Sequence, residues 1–182
     1  MAAAALNIPT GTWTLEKSHT TIGFVARHLM VTKVRGRFAE FDGTVEVADD
    51  LSDSKVNVSL AAASVTTGAE DRDGHLRSVD FFDVETYSQL RFVSTRIESQ
   101  GQRWIIRGDL TIKDVTHPIE LVAEFEGMAT DPWGNTRLAF TAAAEVNRED
   151  WGLTWNVALE QGGFLVSKTA RLEIETQLIK SS

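Results

Sequence analysis

Four histidines, His19, His28, His75 and His117, and two adjacent acid pairs, Asp49-Asp50 and Glu149-Asp150, carry the side chains best suited to metal ligation or proton transfer. The histidines fall on separate segments, and their spacing fits neither H-E-x-x-H nor a Cys/His zinc pattern. Neighbouring acids on a turn are normally solvated, which leaves them poor general acids. "DRDG" at Asp71 to Gly74 opens like a calcium loop, but Phe82 stands where the twelfth-position glutamate is required. With no cysteine in the chain, thiolate catalysis, disulfides and zinc–sulfur sites are excluded. Serine elbows, phosphate-binding glycine loops and dinucleotide fingerprints are missing as well. No catalytic, metal or cofactor site is therefore expected.

One stretch stands out. "RHLMVTKVRGRF", Arg27 to Phe38, gathers Arg27, Lys33, Arg35 and Arg37, His28 and an apolar block, inside a chain of 182 residues with net charge −8. An acidic surface repels nucleic-acid backbones, so no nucleic-acid partner is expected from so short a basic segment. The N-terminus has no basic n-region and no apolar span long enough to cross a bilayer, so we expect no stable membrane insertion and a cytoplasmic location.

The elements that must position these residues read at period two, the mark of half-buried strands. In "EFDGTVEV", Phe41, Gly43, Val45 and Val47 share one face and the acids share the other. The same alternation recurs around Phe24, Leu60, Phe92, Ile106, Leu121, Phe140 and Ile174, giving eight strands of antiparallel type. Turn residues separate them at "SQGQ", "DVTHP" and "DPWGN". One short helix is expected over Glu70 to Ser78, with Thr67 and Glu70 at capping-box spacing. No repeat, linker or boundary divides the chain, so residues 13–182 read as one domain behind a flexible leader at 1–12. The fold class is all-β, either a closed eight-stranded barrel or a sandwich. Small inward residues, Gly43, Ala62, Gly108, Ala123, Ala142 and Ala144, would leave room at the axis, although such residues also serve to fill a tapering barrel.

Four ordered blocks, "SHTTIGFVARHLMVTKVRGRF", "EDRDGHLRSVDFFDVETY", "GDLTIKDVTHPIEL" and "NREDWGLTWN", resemble the successive motifs of the YceI-like (polyisoprenoid-binding) family, over about Trp13 to Lys180. The resemblance implies an extended lipocalin-like antiparallel β-barrel that holds a long isoprenoid or similar lipid in an apolar cavity, without catalysis. On that reading the lining residues are Phe24, Phe41, Val45, Leu60, Phe92, Ile106, Leu110, Phe125, Phe140 and Ile174, each on the inward parity of its strand. The basic stretch becomes a connection over the open end, with Leu29, Met30 and Val31 covering the lipid and Arg27, His28, Lys33 and Arg35 rimming the mouth for a headgroup. Storage or transport of an isoprenoid or quinone-type lipid is the expected function, and a homodimer the expected assembly if an outer face is apolar. The alternatives are a small isomerase or hydrolase using His28 or Asp150 inside the barrel, and a ligand-free stress-response protein with a filled centre.

Overall fold

The computed structural model describes residues 7–181. Its strands are β1 (Gly11–Leu15), β2 (Thr21–His28), β3 (Thr32–Phe38), β4 (Phe41–Val47), β5 (Lys55–Ala61), β6 (Val65–Thr66), β7 (Gln89–Gln100), β8 (Arg103–Ile112), β9 (Val115–Thr130), β10 (Thr136–Asn147) and β11 (Thr169–Lys180), with one helix, α1 (Glu70–Arg77), between β6 and β7.

The first six strands are three long ones, each broken once. A 3-10 turn at Lys17–His19 divides β1 from β2, Ala39 and Glu40 divide β3 from β4, and a 3-10 turn at Ala62–Ser64 divides β5 from β6. The second and third breaks are tied together: Ser64 accepts a hydrogen bond from the Glu40 amide at 3.0 Å and donates to the Ala61 carbonyl at 2.7 Å. Counted this way there are eight long antiparallel strands in a sequential meander. β11 closes the sheet by pairing with β1 (Trp13↔Lys180) at one end and with β2 (Phe24↔Leu172) at the other. The eight-stranded antiparallel barrel expected from the alternation is the architecture observed, and closure leaves the long strands with few free edges.

Several local expectations change. The basic stretch is no loose connection over the barrel: it forms the hairpin β2–β3, in register from Gly23↔Arg37 to His28↔Thr32. The alternation that places Val34, Gly36 and Phe38 toward the core sends Lys33, Arg35 and Arg37 to the outside. "DVTHP" is mostly strand. The turn is the pair Lys113-Asp114, both at positive φ, and Pro118 sits within β9 opposite Asp109. Thr67 does not cap α1, whose N-cap is Ala69 with no side-chain bond. Instead, buried Asp73 reaches back from the helix and accepts bonds from the Thr67 amide at 2.7 Å, the Thr67 hydroxyl at 2.6 Å and the Thr66 hydroxyl at 3.1 Å. Burial acts to raise its pKa, and these bonds more than offset that, so its carboxyl titrates below the usual range. Within the stretch 1–12, Ile8 is buried and β1 begins at Gly11, while residues 1–6 lie outside the described residues.

Two apolar clusters occupy the two ends of the barrel. Trp13, Val47, Ile97, Trp104, Leu138 and Leu178 close the end of the β7–β8 and β9–β10 turns. Phe38, Val65, Phe81, Phe82, Trp151 and Leu153 gather at the other, under α1 and the 3-10 turn Arg148–Trp151. Trp151 is fixed there by its indole N–H, which donates to the Leu110 carbonyl at 2.9 Å.

Candidate functional site

Between the two clusters lies a cavity of about 230 Å³. Its wall is drawn from every long strand of the barrel. Of the ten residues named from strand parity, Phe24, Val45, Leu60, Phe92, Ile106, Leu110, Phe140 and Ile174 are in that wall. Phe41 is buried beyond the break at Ala39-Glu40 and takes no part in it. Phe125 stands next to a register shift opposite Ala139 and Phe140, and its ring packs on Phe140 with centroids 5.3 Å apart, outside the wall.

The space does not arise as the small residues suggested. A β-carbon on Gly36 would come within 2.3 Å of the Phe24 ring, one on Gly108 within 2.5 Å of the Phe92 ring, and one on Gly43 within 2.5 Å of the Leu15 side chain. Large side chains thus lie flat across glycines in neighbouring strands rather than projecting to the axis. The glycines thin the wall by letting bulky neighbours fold down upon it. Ala123 and Ala142 do line the cavity, whereas Ala62 and Ala144 are buried away from it.

Polar wall residues are few. Ser54 and Thr176 are spoken for, the former accepting from the Ala48 amide at 3.0 Å and the latter bonded to the Thr20 hydroxyl at 2.8 Å. Arg91 is an exposed residue of β7 that only borders the space. Arg148 differs, because it is 7% exposed and in the wall. Its guanidinium donates to the carbonyls of Ser167 (2.8 Å), Val166 (3.5 Å) and Leu153, with no carboxylate in ion-pair contact among the described residues. Burial pushes its pKa down from the ordinary arginine value, and only Glu149 acts in the other direction. At the far end Trp104, also in the wall, has a buried indole N–H without a hydrogen-bond partner among the described residues. Strand parity gave no direction for Arg148, since β10 ends at Asn147 and a 3-10 turn carries the arginine inward.

The sites proposed outside strand parity do not reach the cavity wall. Arg27, His28, Lys33 and Arg35 all lie on the β2–β3 hairpin and outside the wall. Arg35 pairs with Glu173 at 2.9 Å. His28 and Asp150 are exposed, so neither is the inward group that catalysis inside the barrel would use. His19 bonds Glu16, His75 bonds Asp80 and lies edge-on to Trp155, and His117 lies edge-on to Trp151.

Comparison with known proteins agrees with this geometry. The family model described as "YceI-like domain" matches residues 13–178. A UPF0312 protein of Photorhabdus laumondii is 38% identical over 73% of this chain and 70% of its own. One of Staphylococcus epidermidis is 35% identical over 89% of this chain and 94% of its own. Among solved structures, the Campylobacter jejuni YCEI protein superposes with TM-score 0.73 at 27% identity, covering 86% of this chain and 90% of that one. BcnA of Burkholderia cenocepacia shares the fold at TM-score 0.76 and 17% identity, covering 90% and 98%. A polyisoprenoid-binding domain of Saccharophagus degradans shares it at TM-score 0.72 and 14% identity, covering 95% and 100%. A closed meander barrel, four ordered motifs and a family match running from Trp13 to Leu178 place this chain in the YceI-like family.

Proposed function

We propose that this protein is a noncatalytic carrier or store for a long-chain isoprenoid or quinone-type lipid, held in the barrel cavity with its oxygen-bearing head toward Arg148. One observation carries the reading: an apolar cavity running through a closed barrel, bounded by a wall in which Arg148 is the one buried charge among the described residues. A volume of about 230 Å³ is far larger than the roughly 10–15 Å³ that one water needs, and apolar cavities do not hold water well. Hydrocarbon is the matching occupant. Each buried CH₂ contributes roughly 0.8 kcal/mol, so twenty carbons give an upper limit of about 16 kcal/mol before ordering costs. Affinity therefore needs no elaborate polar motif, and polar groups have only to orient the head.

Arg148 suits that task. Its three carbonyl partners leave N–H donors to spare, and a carbonyl, phosphate or carboxylate oxygen is the acceptor a guanidinium favours. The wall residues include no histidine, aspartate or glutamate, which supports binding over acid–base chemistry inside the barrel. The polyisoprenoid-binding domain of Saccharophagus degradans has the same fold, in keeping with this use of the barrel.

The test is native purification followed by solvent extraction and mass spectrometry. A stoichiometric long-chain lipid is the expected result. A protein that emerges lipid-free and takes up no added isoprenoid would overturn the proposal.

A further inference from the structure

The tip of the β2–β3 hairpin is built against its own stability. Val31 donates its amide to the His28 carbonyl at 3.1 Å, so His28 to Val31 is a tight turn, and its central residues Leu29 and Met30 have φ of 53° and 62°. That left-handed geometry strongly favours Asn and Gly, and bulky side chains there are uncommon. The two residues are also exposed, at 44% and 55%, with Val31 beside them at 72%. A polar pair would relieve both penalties in water.

A second loop shares the exposure. The Leu29 amide donates to the Leu165 carbonyl at 2.8 Å, Val166 bridges to His28, and Met30 approaches Gly163, which brings Val157 and Phe164 alongside the tip. Both are half exposed. The result is one apolar patch made of two adjoining loops. It stands beyond the Arg148 end of the cavity: Phe24 is in the wall, and β2 continues four residues past it, roughly 13 Å at strand rise.

The charge around this patch runs against that of the chain. Arg27 folds its guanidinium onto the Val31 carbonyl at 3.1 Å, Lys33 lies across the ladder from Arg27, and Lys168 sits over the Phe164 ring at 5.7 Å. Acids at this end include Glu160 at the tip of the second loop, Glu149, which pairs with Lys168 at 3.4 Å, and exposed Asp150 beside it. Apolar side chains ringed by cations are the chemistry of an interfacial anchor on an anionic bilayer, where acyl chains receive the former and lipid phosphates the latter.

We propose that the tip formed by Leu29, Met30, Val31, Val157 and Phe164 docks this protein reversibly onto anionic lipid bilayers, with Arg27 and Lys33 on the headgroups. Docking does not depend on the carrier reading and fails separately from it.

The test is sedimentation with vesicles of phosphatidylcholine alone and of phosphatidylcholine with phosphatidylglycerol, for the wild type and the double variant Leu29→Asn/Met30→Gly. The substituted pair suits the turn, so the variant is expected to unfold at an equal or higher temperature while losing at least tenfold in binding to the anionic vesicles. Arg27→Gln/Lys33→Gln is expected to lose several-fold, and 0.5 M salt to do the same to the wild type. Extracted lipid content stays unchanged in all of them. Wild-type protein that ignores the anionic vesicles, or a variant that binds them as well as wild type, would overturn the proposal. So would a concentration-dependent dimer that the tip variant abolishes in the absence of vesicle binding, since the patch would then be a contact between two copies.

Discussion

The cavity depends on a few close approaches between a ring and a glycine, and Gly36 is the cleanest of them. All the near contacts of a β-carbon there are with the Phe24 ring, so Gly36→Ala forces that ring off the wall and into the open space. Overpacking of this kind costs about 1–3 kcal/mol. Thermal unfolding is expected to show that loss, and uptake of a long-chain isoprenoid to fall with it. Were Gly36→Ala to bind lipid as wild type does, the flat-lying ring would not be what keeps the centre open. Arg148 makes the second argument at this scale. Arg148→Met leaves the carbonyls of Leu153 and Ser167 without this donor, each buried unsatisfied acceptor costing about 1–3 kcal/mol, while the Val166 carbonyl keeps the Asn156 side-chain amide at 2.8 Å. Arg148→Lys keeps the charge and part of the bonding. If the guanidinium orients an oxygen head, the lysine variant retains more selectivity for isoprenoid alcohols over the bare hydrocarbon than the methionine variant, as competition for the cavity would measure.

At the scale of elements, the breaks in the three long strands shape the barrel, and the first is held by a carboxylate. Glu16 accepts from the Ser18 hydroxyl at 2.6 Å and the Ser18 amide at 3.3 Å and bonds His19 at 2.6 Å, which holds its pKa down to about 2. A folded-state value below the unfolded one means that the unfolded chain takes up more protons between these values. The stabilisation is therefore complete above about pH 4.5 and is lost as pH falls toward 2. Glu16→Gln is expected to flatten the acid side of the stability profile in that window while changing the neutral-pH lipid content little; denaturant titrations at stepped pH would show it. These breaks were hard to read beforehand. Alternation around Phe41 or Ile106 exposes strands because one face is wet, so the eight-strand count was legible. The break at Ala39-Glu40 beside Phe41 and the irregularity beside Phe125 obey no period. The hairpin at Arg27–Phe38 hid behind its composition: Leu29 and Met30 break the Asn-Gly rule for tight turns, so nothing local announced a turn. Arg148 was hidden for a different reason, since a 3-10 turn has no strand parity to follow.

For the molecule as a whole, the closed barrel encloses an apolar cavity. Protein interiors are close-packed, so an apolar void of this size represents forgone dispersion and burial unless a guest restores them. Aromatic clusters flank the hydrocarbon-lined space, around Trp13 and Trp104 at one end and Phe82 and Trp151 at the other. The most direct measurement is a crystal structure of the natively purified protein, judged by the density along the barrel axis. A continuous elongated guest from near Trp104 to the Arg148 guanidinium is the expected result, and a centre filled by the protein's own side chains would contradict the carrier role.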